Sequence, residues 1–521
     1  MAGPVSAAQS LMATLVAAGI DVCFANPGTT EMPLVQALDE VDGVRPVLGL
    51  FEGVCSGAAD GYGRMAGRPA MTLLHLGPGL ANAIANLHNA AKARTPMVNV
   101  IGEHATWHRD RGAPLATDIE GLARPVSKWV RTSATPHGVP GDGADAVAAA
   151  TSAPGGVATL IVPADCAWSE GDGAARPLAP TPAAPVGDAA VEAAAGSLSA
   201  DGRAALFLGA GALGERGLRA AARVAAATGC LLLGEAFPAR MERGGDLPAV
   251  ARLPYFPEDA SAALAPAARL VLAGAPAPVT FFGYPGVPSD VAPPDMPVVA
   301  LAAAADDVAD ALERVAERLG DGRGAPPRAD APAPPEDGPL TPLATARAIA
   351  AGQPEGAVVV DEGLTLSAFY VAASVGAPRH SYLAITGGSI GQGLPCATGA
   401  AIACPDRPVI ALQADGSAMY TLQALWTQAR EGLDVTTLLI SNRSYEILLV
   451  ELARAGVAEP GPRARALTQL GEPALDWCAL ARGMGVPAAR ATTTRELAGE
   501  LARALAEPGP HLVEMVIAAP A

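Results

Sequence analysis

Nothing in the sequence marks a membrane span, a leader or a disulfide frame. No apolar run reaches the length that crosses a bilayer, and residues 1–10 have neither a charged opening nor an apolar core, so a cytoplasmic protein is expected. The seven cysteines (Cys23, Cys55, Cys166, Cys230, Cys396, Cys404 and Cys478) are odd in number and contain no C-x-x-C pair. That argues against a disulfide scaffold or a zinc site and for reduced thiols filling core space. Positive charge is short as well: 35 Lys and Arg against 52 Asp and Glu leave a formal charge of −17. Nucleic acid and anionic membrane are therefore not expected partners. The chain that remains is half apolar and only 17% charged, which fits a globular protein. At 521 residues it is too long for one core, so two to four domains are expected.

The most informative stretch runs from Asp415 to Tyr445. Val409 to Leu412 reads as a short buried strand leading to Asp415. Leu422, Leu425, Trp426 and Ala429 then fall on one helical stripe, and Val435 to Ile440 reads as the next buried strand, leading to Asn442. Asp415 and Asn442, 27 residues apart, thus stand at the C-terminal ends of neighbouring strands, the edge where ligands bind in open α/β sheets. A hard cation such as Mg²⁺ takes oxygen ligands and shares them with phosphates. Asp415, the Asn442 amide oxygen and a backbone carbonyl near Ser444 would supply three. Gly416 lets the backbone approach a phosphate, and Ser417 opens a helix whose N–H groups favour anions.

This order resembles the thiamine diphosphate (ThDP) signature of the acetolactate synthase, pyruvate oxidase and benzoylformate decarboxylase family, Gly-Asp-Gly followed by Asn-Asn-Gly. Here Ala414 replaces the first Gly, Ser441 the first Asn and Arg443 the last Gly. The last substitution puts a long cation beside the metal loop.

The N-terminal part alternates strands and helices, as in a parallel sheet covered on both faces. Strands are expected at 22–25, 47–51, 69–74, 96–101 and 157–162, with Thr29 or Thr30 capping the helix after the first. Polar residues gather at strand ends: Glu52, His75 and Glu103. An acid directly after Leu50-Phe51 is partly desolvated and suited to sharing a proton. Asn-Pro-Gly-Thr at 26–29, Phe-Glu-Gly-Val-Cys-Ser-Gly-Ala-Ala-Asp-Gly-Tyr-Gly-Arg at 51–64 and His-Leu-Gly-Pro-Gly-Leu-Ala-Asn at 75–82 resemble the pyrimidine-binding domain of the same family. The resemblance makes Glu52 the glutamate that meets the aminopyrimidine. It puts His75 where benzoylformate decarboxylase has a catalytic histidine, Thr29 and Asn82 beside the cofactor, and Glu103 on the substrate side, where many relatives have Gln.

Residues 171–186, rich in Gly, Ala and Pro, read as a linker to a middle domain. There a strand at 204–208 runs into Gly209-Ala210-Gly211-Ala212-Leu213-Gly214, and Glu235 lies 21 residues beyond Gly214. That spacing suits a dinucleotide fingerprint. The resemblance leaves two readings, since acetolactate synthases bind FAD in this domain and the simple decarboxylases do not. Where benzoylformate decarboxylases carry a second histidine, this chain has Phe281-Phe282-Gly283-Tyr284. Residues 320–339 read as a second linker. In the last domain the resemblance gives Thr365 a diphosphate contact, while Leu364 loses another. It gives Gly388 a carbonyl contact to the cofactor amine and makes Ile390 the wedge that bends the cofactor. Residues 446–470 are expected as a lid, with Ile447 and Leu448 facing the substrate.

The expected fold is therefore α/β with three doubly wound parallel-sheet domains: 1–170 pyrimidine-binding, 187–320 Rossmann-like, and 340–521 binding diphosphate and Mg²⁺. The resemblance spans the whole chain and is nearest to the acetolactate-synthase-like large subunits of actinobacteria. It implies ThDP and Mg²⁺ as cofactors, a homo-oligomer with the site at a dimer interface, and decarboxylation of a 2-oxo acid. The acyl group then passes to a proton, an aldehyde or a second 2-oxo acid. Acetolactate synthase activity is the leading expectation. His75 points instead to a benzoylformate-decarboxylase-like enzyme or an aldehyde carboligase. Arg443, Ala414 and Leu364 point to a non-catalytic paralogue or regulatory subunit, which the retained Glu52, Asp415 and Asn442 oppose.

Overall fold

The computed structural model describes residues 5–320 and 329–517, so part of the second expected linker, 321–328, lies outside the described residues. Three sheets organise the chain. The first has six parallel strands: β1 (Val22–Asn26), β2 (Arg45–Leu48), β3 (Ala70–Leu74), β4 (Met97–Glu103), β5 (Trp129–Thr132) and β6 (Val157–Pro163), in the order 2-1-3-4-6-5. β3, β4 and β6 are buried along their whole length. Helices cover both faces, which is why these strands read as mainly apolar runs; Thr72, Asn99 and Thr159 interrupt them and bond one another across the sheet.

The next strands are β7 (Ala204–Leu208), β8 (Leu231–Gly234), β9 (Met241–Arg243), β10 (Ala251–Arg252), β11 (Arg269–Ala273) and β12 (Val298–Ala302). Five form a parallel middle sheet in the order 10-8-7-11-12. β9 leaves it. It pairs antiparallel with β14 at the edge of the last sheet, through Met241 opposite Tyr382 and Arg243 opposite His380. The last sheet comprises β13 (Ala357–Glu362), β14 (His380–Ala384), β15 (Val409–Ala414), β16 (Val435–Ser441), β17 (Ala488–Ala491) and β18 (His511–Val516), in the order 17-18-16-15-13-14-9.

Several boundaries differ from expectation for local reasons. β2 stops at Leu48: the Gly49 N–H still bonds the Ala25 carbonyl, but the chain bends at Leu50 and Phe51, and a Cβ on Gly49 would lie 2.7 Å from Cys55 Sγ. After β15 the chain forms two helices: a short one, Asp415–Ala418, that opens on Asp415 and not on Ser417, and a second, Ala424–Glu431, that starts late because Thr421 bonds the Gly391 carbonyl through its hydroxyl. After β7 the fingerprint makes a 3₁₀ turn, Ala210–Leu213, and the helix starts only at Glu215.

The first and last domains meet through two helices, α1 (Glu52–Ala66) and α2 (Gly393–Ala403), packed backbone to backbone. A Cβ on Gly61 would lie 1.9 Å from the Cys396 carbonyl oxygen, and one on Gly399 1.7 Å from that of Ala58. Asp60 and Arg64 bolt the contact. Their ion pair is buried, and Arg64 also donates to the Ala384 carbonyl (2.7 Å) and Thr386 Oγ1 (3.0 Å), while Gln392 and Thr95 donate to Asp60. A buried pair so fully bonded costs most when one member is removed. Because α1 begins on Glu52, this interface fixes where that acid stands. Gly399→Val should therefore lower stability by more than about 3 kcal/mol, read as a fall in melting temperature or loss of soluble protein. A melting curve like that of wild type would show that the two helices do not pack this closely.

Candidate active site

Two groups of polar residues lie at the C-terminal edges of the first and last sheets. In the first, Glu52 opens α1 and is half-buried, and Asn82 Nδ2 donates to its Oε2 at 3.0 Å. His75 directly follows β3 and stands at the start of the helix Leu76–Ala93. Glu52 and His75 flank one glycine: a Cβ on Gly79 would sit 3.3 Å from Glu52 Oε1 and 3.4 Å from His75 Cβ. Thr29 is exposed on the neighbouring turn. Glu103 is buried at the end of β4 and accepts the His104 N–H, 2.7 Å.

The structure adds a residue that sequence reasoning passed over. Glu31 is 0% exposed, and its Oε2 lies 2.7 Å from His75 Nδ1. It also accepts the Gly28 N–H (2.8 Å) and the Thr30 hydroxyl (2.6 Å). The expected threonine cap does not form: a 3₁₀ turn, Thr29–Glu31, leads into the helix Met32–Glu40, which has no side-chain cap, and the Thr30 hydroxyl is spent on the Glu31 carboxylate while Thr29 stays exposed. A carboxylate on Nδ1 fixes the imidazole tautomer and leaves Nε2 as the free face. The one cue in the sequence was an acid two residues after Thr29, which a helix-start reading absorbs. Glu31→Gln should cut turnover about 10–100-fold with little change in melting temperature, by analogy with the partners that orient metal-bound histidines. Unchanged turnover would remove the pair from the chemistry.

In the second group Asp415 is 2% exposed, and burial holds its carboxyl above the ordinary carboxylate range. The N–H groups of Arg443 (2.7 Å) and Gly416 (2.8 Å) oppose that shift. Asn442 Oδ1 accepts the Ser444 N–H at 3.1 Å, and Ser444 Oγ is buried without a hydrogen-bond partner. Ser417 is bonded to its own turn, accepting from Gln413 and donating to the Ala414 carbonyl. Gly416 has the Tyr445 ring against it, 2.4 Å from where a Cβ would be. Arg443 adopts φ +58°, the left-handed conformation that a glycine takes easily. Its exposed side chain runs toward Gly471. A buried carboxylate whose near neighbours are amides and hydroxyls, with an orphaned hydroxyl beside it, suits a hard cation bound through oxygen. The donor set thus fits Mg²⁺ on Asp415, Asn442 and the Ser444 segment.

Between the groups runs the loop 386–393. Gly388 is exposed at φ +70°, and Ile390 is half-buried. Asn89 bonds both backbone groups of Ser389, and Asn86 Nδ2 donates to the Gly391 carbonyl (3.2 Å) and to that of Gly53 (2.8 Å), the residue after Glu52. Thr365 lies half-buried in the 3₁₀ turn after β13. Glu362, fully buried, accepts the N–H groups of Gly391 and Gly393 at 2.5 Å each, and Gln413 Nε2. Burial pushes its carboxyl up to about 7 against those donors. A raised carboxyl binds a proton on folding, so its stabilising share is complete below its unfolded value and is lost as pH rises through about 7. Wild type should lose about 3 kcal/mol relative to Glu362→Gln between pH 4.5 and 8, measured by denaturant melts. A constant difference would show the acid already ionised throughout.

A cleft of about 620 Å³ separates the first and middle domains, lined by Lys92, Arg94, Glu235, Phe237, Tyr255 and Phe281 among others. Glu235 folds back on the fingerprint turn: a Cβ on Gly209 would be 2.7 Å from its carboxyl carbon. Among the described residues no helix is long and apolar enough to cross a membrane.

Residues 5–122 match the N-terminal TPP binding domain of thiamine pyrophosphate enzymes, and residues 364–515 match the C-terminal TPP binding domain. A Mycobacterium tuberculosis protein named as an acetolactate synthase large subunit, IlvX, is 50% identical over 98% of both chains. Benzoylformate decarboxylase of Pseudomonas aeruginosa is 32% identical over 95% of this chain and 96% of its own. The structure of a ThDP-dependent 4-hydroxybenzoylformate decarboxylase from Rhodococcus jostii superposes with a TM-score of 0.87 at 25% identity, over 98% of this chain and 99% of that one. The chain belongs to the thiamine pyrophosphate enzymes, as a ThDP-dependent enzyme related to acetolactate synthases and benzoylformate decarboxylases.

Proposed function

We propose that the protein is a ThDP- and Mg²⁺-dependent 2-oxo-acid decarboxylase and carboligase, with acetolactate synthesis from pyruvate as its leading activity. The observation that carries this reading is the pair of strand-end clusters, Glu52 with Asn82 on one sheet edge and Asp415 with Asn442 on the other. Bound ThDP would supply a nucleophilic carbon and hold the electron pair left when CO₂ departs. Asp415, Asn442 and the Ser444 segment would hold Mg²⁺ and through it the diphosphate, with Thr365 and Ser417 beside it. Gly388 would offer its carbonyl, and Ile390 its apolar side chain, to the cofactor's bent form.

The chain's own chemistry is proton transfer. Glu52 would exchange a proton with the pyrimidine ring nitrogen, held in place by the Asn82 amide. His75, with Nδ1 tied to Glu31, would present Nε2 to the alkoxide oxygen that develops on the substrate. Glu103, Ile447 and Leu448 would line the substrate side.

A second reading, a benzoylformate-decarboxylase-like enzyme or aldehyde carboligase, is favoured by the same His75–Glu31 pair, because a fixed imidazole is well suited to delivering a proton that releases an aldehyde. We also propose a homo-oligomer completing its sites at a subunit interface. The exposed apolar side chains Leu50, Met419, Tyr420 and Leu448, which flank both clusters, support it. FAD belongs to the reading as an optional occupant of the cleft. The volume and the aromatic lining support it, and the acid on the fingerprint turn opposes it. A protein that stays colourless after reconstitution with FAD would remove it. Mass-spectrometric analysis of products from pyruvate, alone and with aldehydes or other 2-oxo acids, decides between the readings. Acetolactate supports the first, an aldehyde or mixed acyloin the second, and no CO₂ from any donor with ThDP bound overturns both.

A further inference from the structure

The segment 446–467 leaves the last sheet after β16 and returns to it. Its base is closed by backbone bonds: the Tyr445 N–H to the Thr468 carbonyl and the Leu470 N–H to the Arg443 carbonyl, both 2.8 Å. Its helix, α3 (Glu446–Arg454), buries none of its residues. Apolar packing therefore does little to hold it.

Polar and stacking contacts from the middle domain do hold it. Arg454 reaches both oxygens of Glu258, at 2.5 and 3.1 Å. Its guanidinium carbon lies 4.5 Å from the Phe256 ring centroid and 5.0 Å from that of Tyr284. Tyr284 Oη donates to Glu451 Oε1 at 3.0 Å, one turn earlier on the same helix. Tyr284 belongs to a hairpin closed by the Thr280 N–H on the Ser289 carbonyl (2.8 Å) and the Val291 N–H on the Pro278 carbonyl (3.1 Å). The same hairpin carries Phe281, whose Cζ lies 2.9 Å from where a Cβ on Gly388 would be. One end of the hairpin thus rests on the loop beside the cofactor position, and the other end grips the excursion.

We propose that Arg454 and Tyr284 are positioning residues: they latch the excursion to the 279–290 hairpin, so that closure over the site and the seating of Phe281 on Gly388 occur as one event. An arginine between two rings with a bidentate acid behind it gives the contact direction as well as charge. Elements joined so should open together. The inference uses the proposed function only for its kinetic arm.

The test is hydrogen exchange by mass spectrometry on the full-length protein with ThDP and Mg²⁺, comparing wild type, Arg454→Ala, Arg454→Lys and Tyr284→Phe. Arg454→Ala should speed exchange about tenfold in both 446–454 and 279–290, leaving β3 unchanged. Tyr284→Phe keeps the ring over Arg454 and should give a smaller rise in the same two segments, and Arg454→Lys an intermediate one. With the donor that the product assay identifies, Arg454→Ala should raise KM about tenfold while kcat stays within about twofold, because a smaller share of molecules is closed before binding. Faster exchange in 446–454 alone, or in neither segment, overturns the latch. If no donor turns over even with wild type, the proposed function fails, and the exchange pattern still decides the latch.

Discussion

Glu52→Gln should lower turnover by about 10²–10⁴-fold while leaving the fold and the affinity for ThDP close to wild type. The amide keeps the size of the side chain and can still bond Asn82, so α1 should start where it does now. What disappears is a group that gives up and recovers a proton. The effect should fall on kcat at saturating substrate, because the contact matters to the reacting cofactor and not to the uptake of substrate. The measurement is steady-state turnover with the donor found by product analysis, alongside a ThDP titration followed by protein fluorescence. Turnover within about threefold of wild type would take Glu52 out of the mechanism. Weakened ThDP binding with turnover otherwise intact would make it a binding residue only.

Asp415→Ala should act at an earlier stage. Its carboxylate is the one full charge proposed for the cation, and both oxygens are already oriented by backbone N–H groups. Removing it should cost at least about 100-fold in Mg²⁺ affinity, by comparison with the smaller losses seen when only a supporting group is removed. Retention of the diphosphate should fall with it, since Mg²⁺ shares its ligands with phosphates. The readout is thermal: wild type should melt higher in ThDP and Mg²⁺ than without them, by an amount that grows with ligand concentration, and the variant should lose that shift. An undiminished shift would mean that the cation, if bound at all, sits elsewhere. Arg443 should not rescue the variant, because its side chain points toward Gly471.

The fold class was legible for a physical reason. Strands covered on both faces, such as Met97–Glu103 and Val409–Ala414, appear as short apolar runs, and each ends on the polar residues of an edge. Glu52, His75, Asp415 and Asn442 could be placed at those ends from spacing alone. Their partners could not. Glu31 meets His75 from 44 residues away, and Glu362 reaches Gly391 and Gly393 across two strand ends. No periodicity records such contacts, because each depends on how separate βα units are stacked. The threonine cap failed for the same reason: a local rule yielded to a carboxylate that the tertiary fold had buried. Arg443 looked like an intruder in the expected metal loop because a residue's identity does not tell the direction of its side chain, which runs toward Gly471.

The three residues Met241–Arg243 bear on how this chain can be taken apart. Sequence boundaries suggest three cassettes that could be exchanged between relatives or expressed singly. Yet the outermost strand of the last sheet is encoded about a hundred residues upstream of it. A fragment beginning at residue 340 would leave β14, His380–Ala384, with an open row of amides and carbonyls, an invitation to pair with another molecule. A chimera grafting a foreign middle segment would inherit the same gap unless the graft brought a matching strand. Recombination within this architecture is therefore constrained by a seam that domain maps drawn along the sequence do not show.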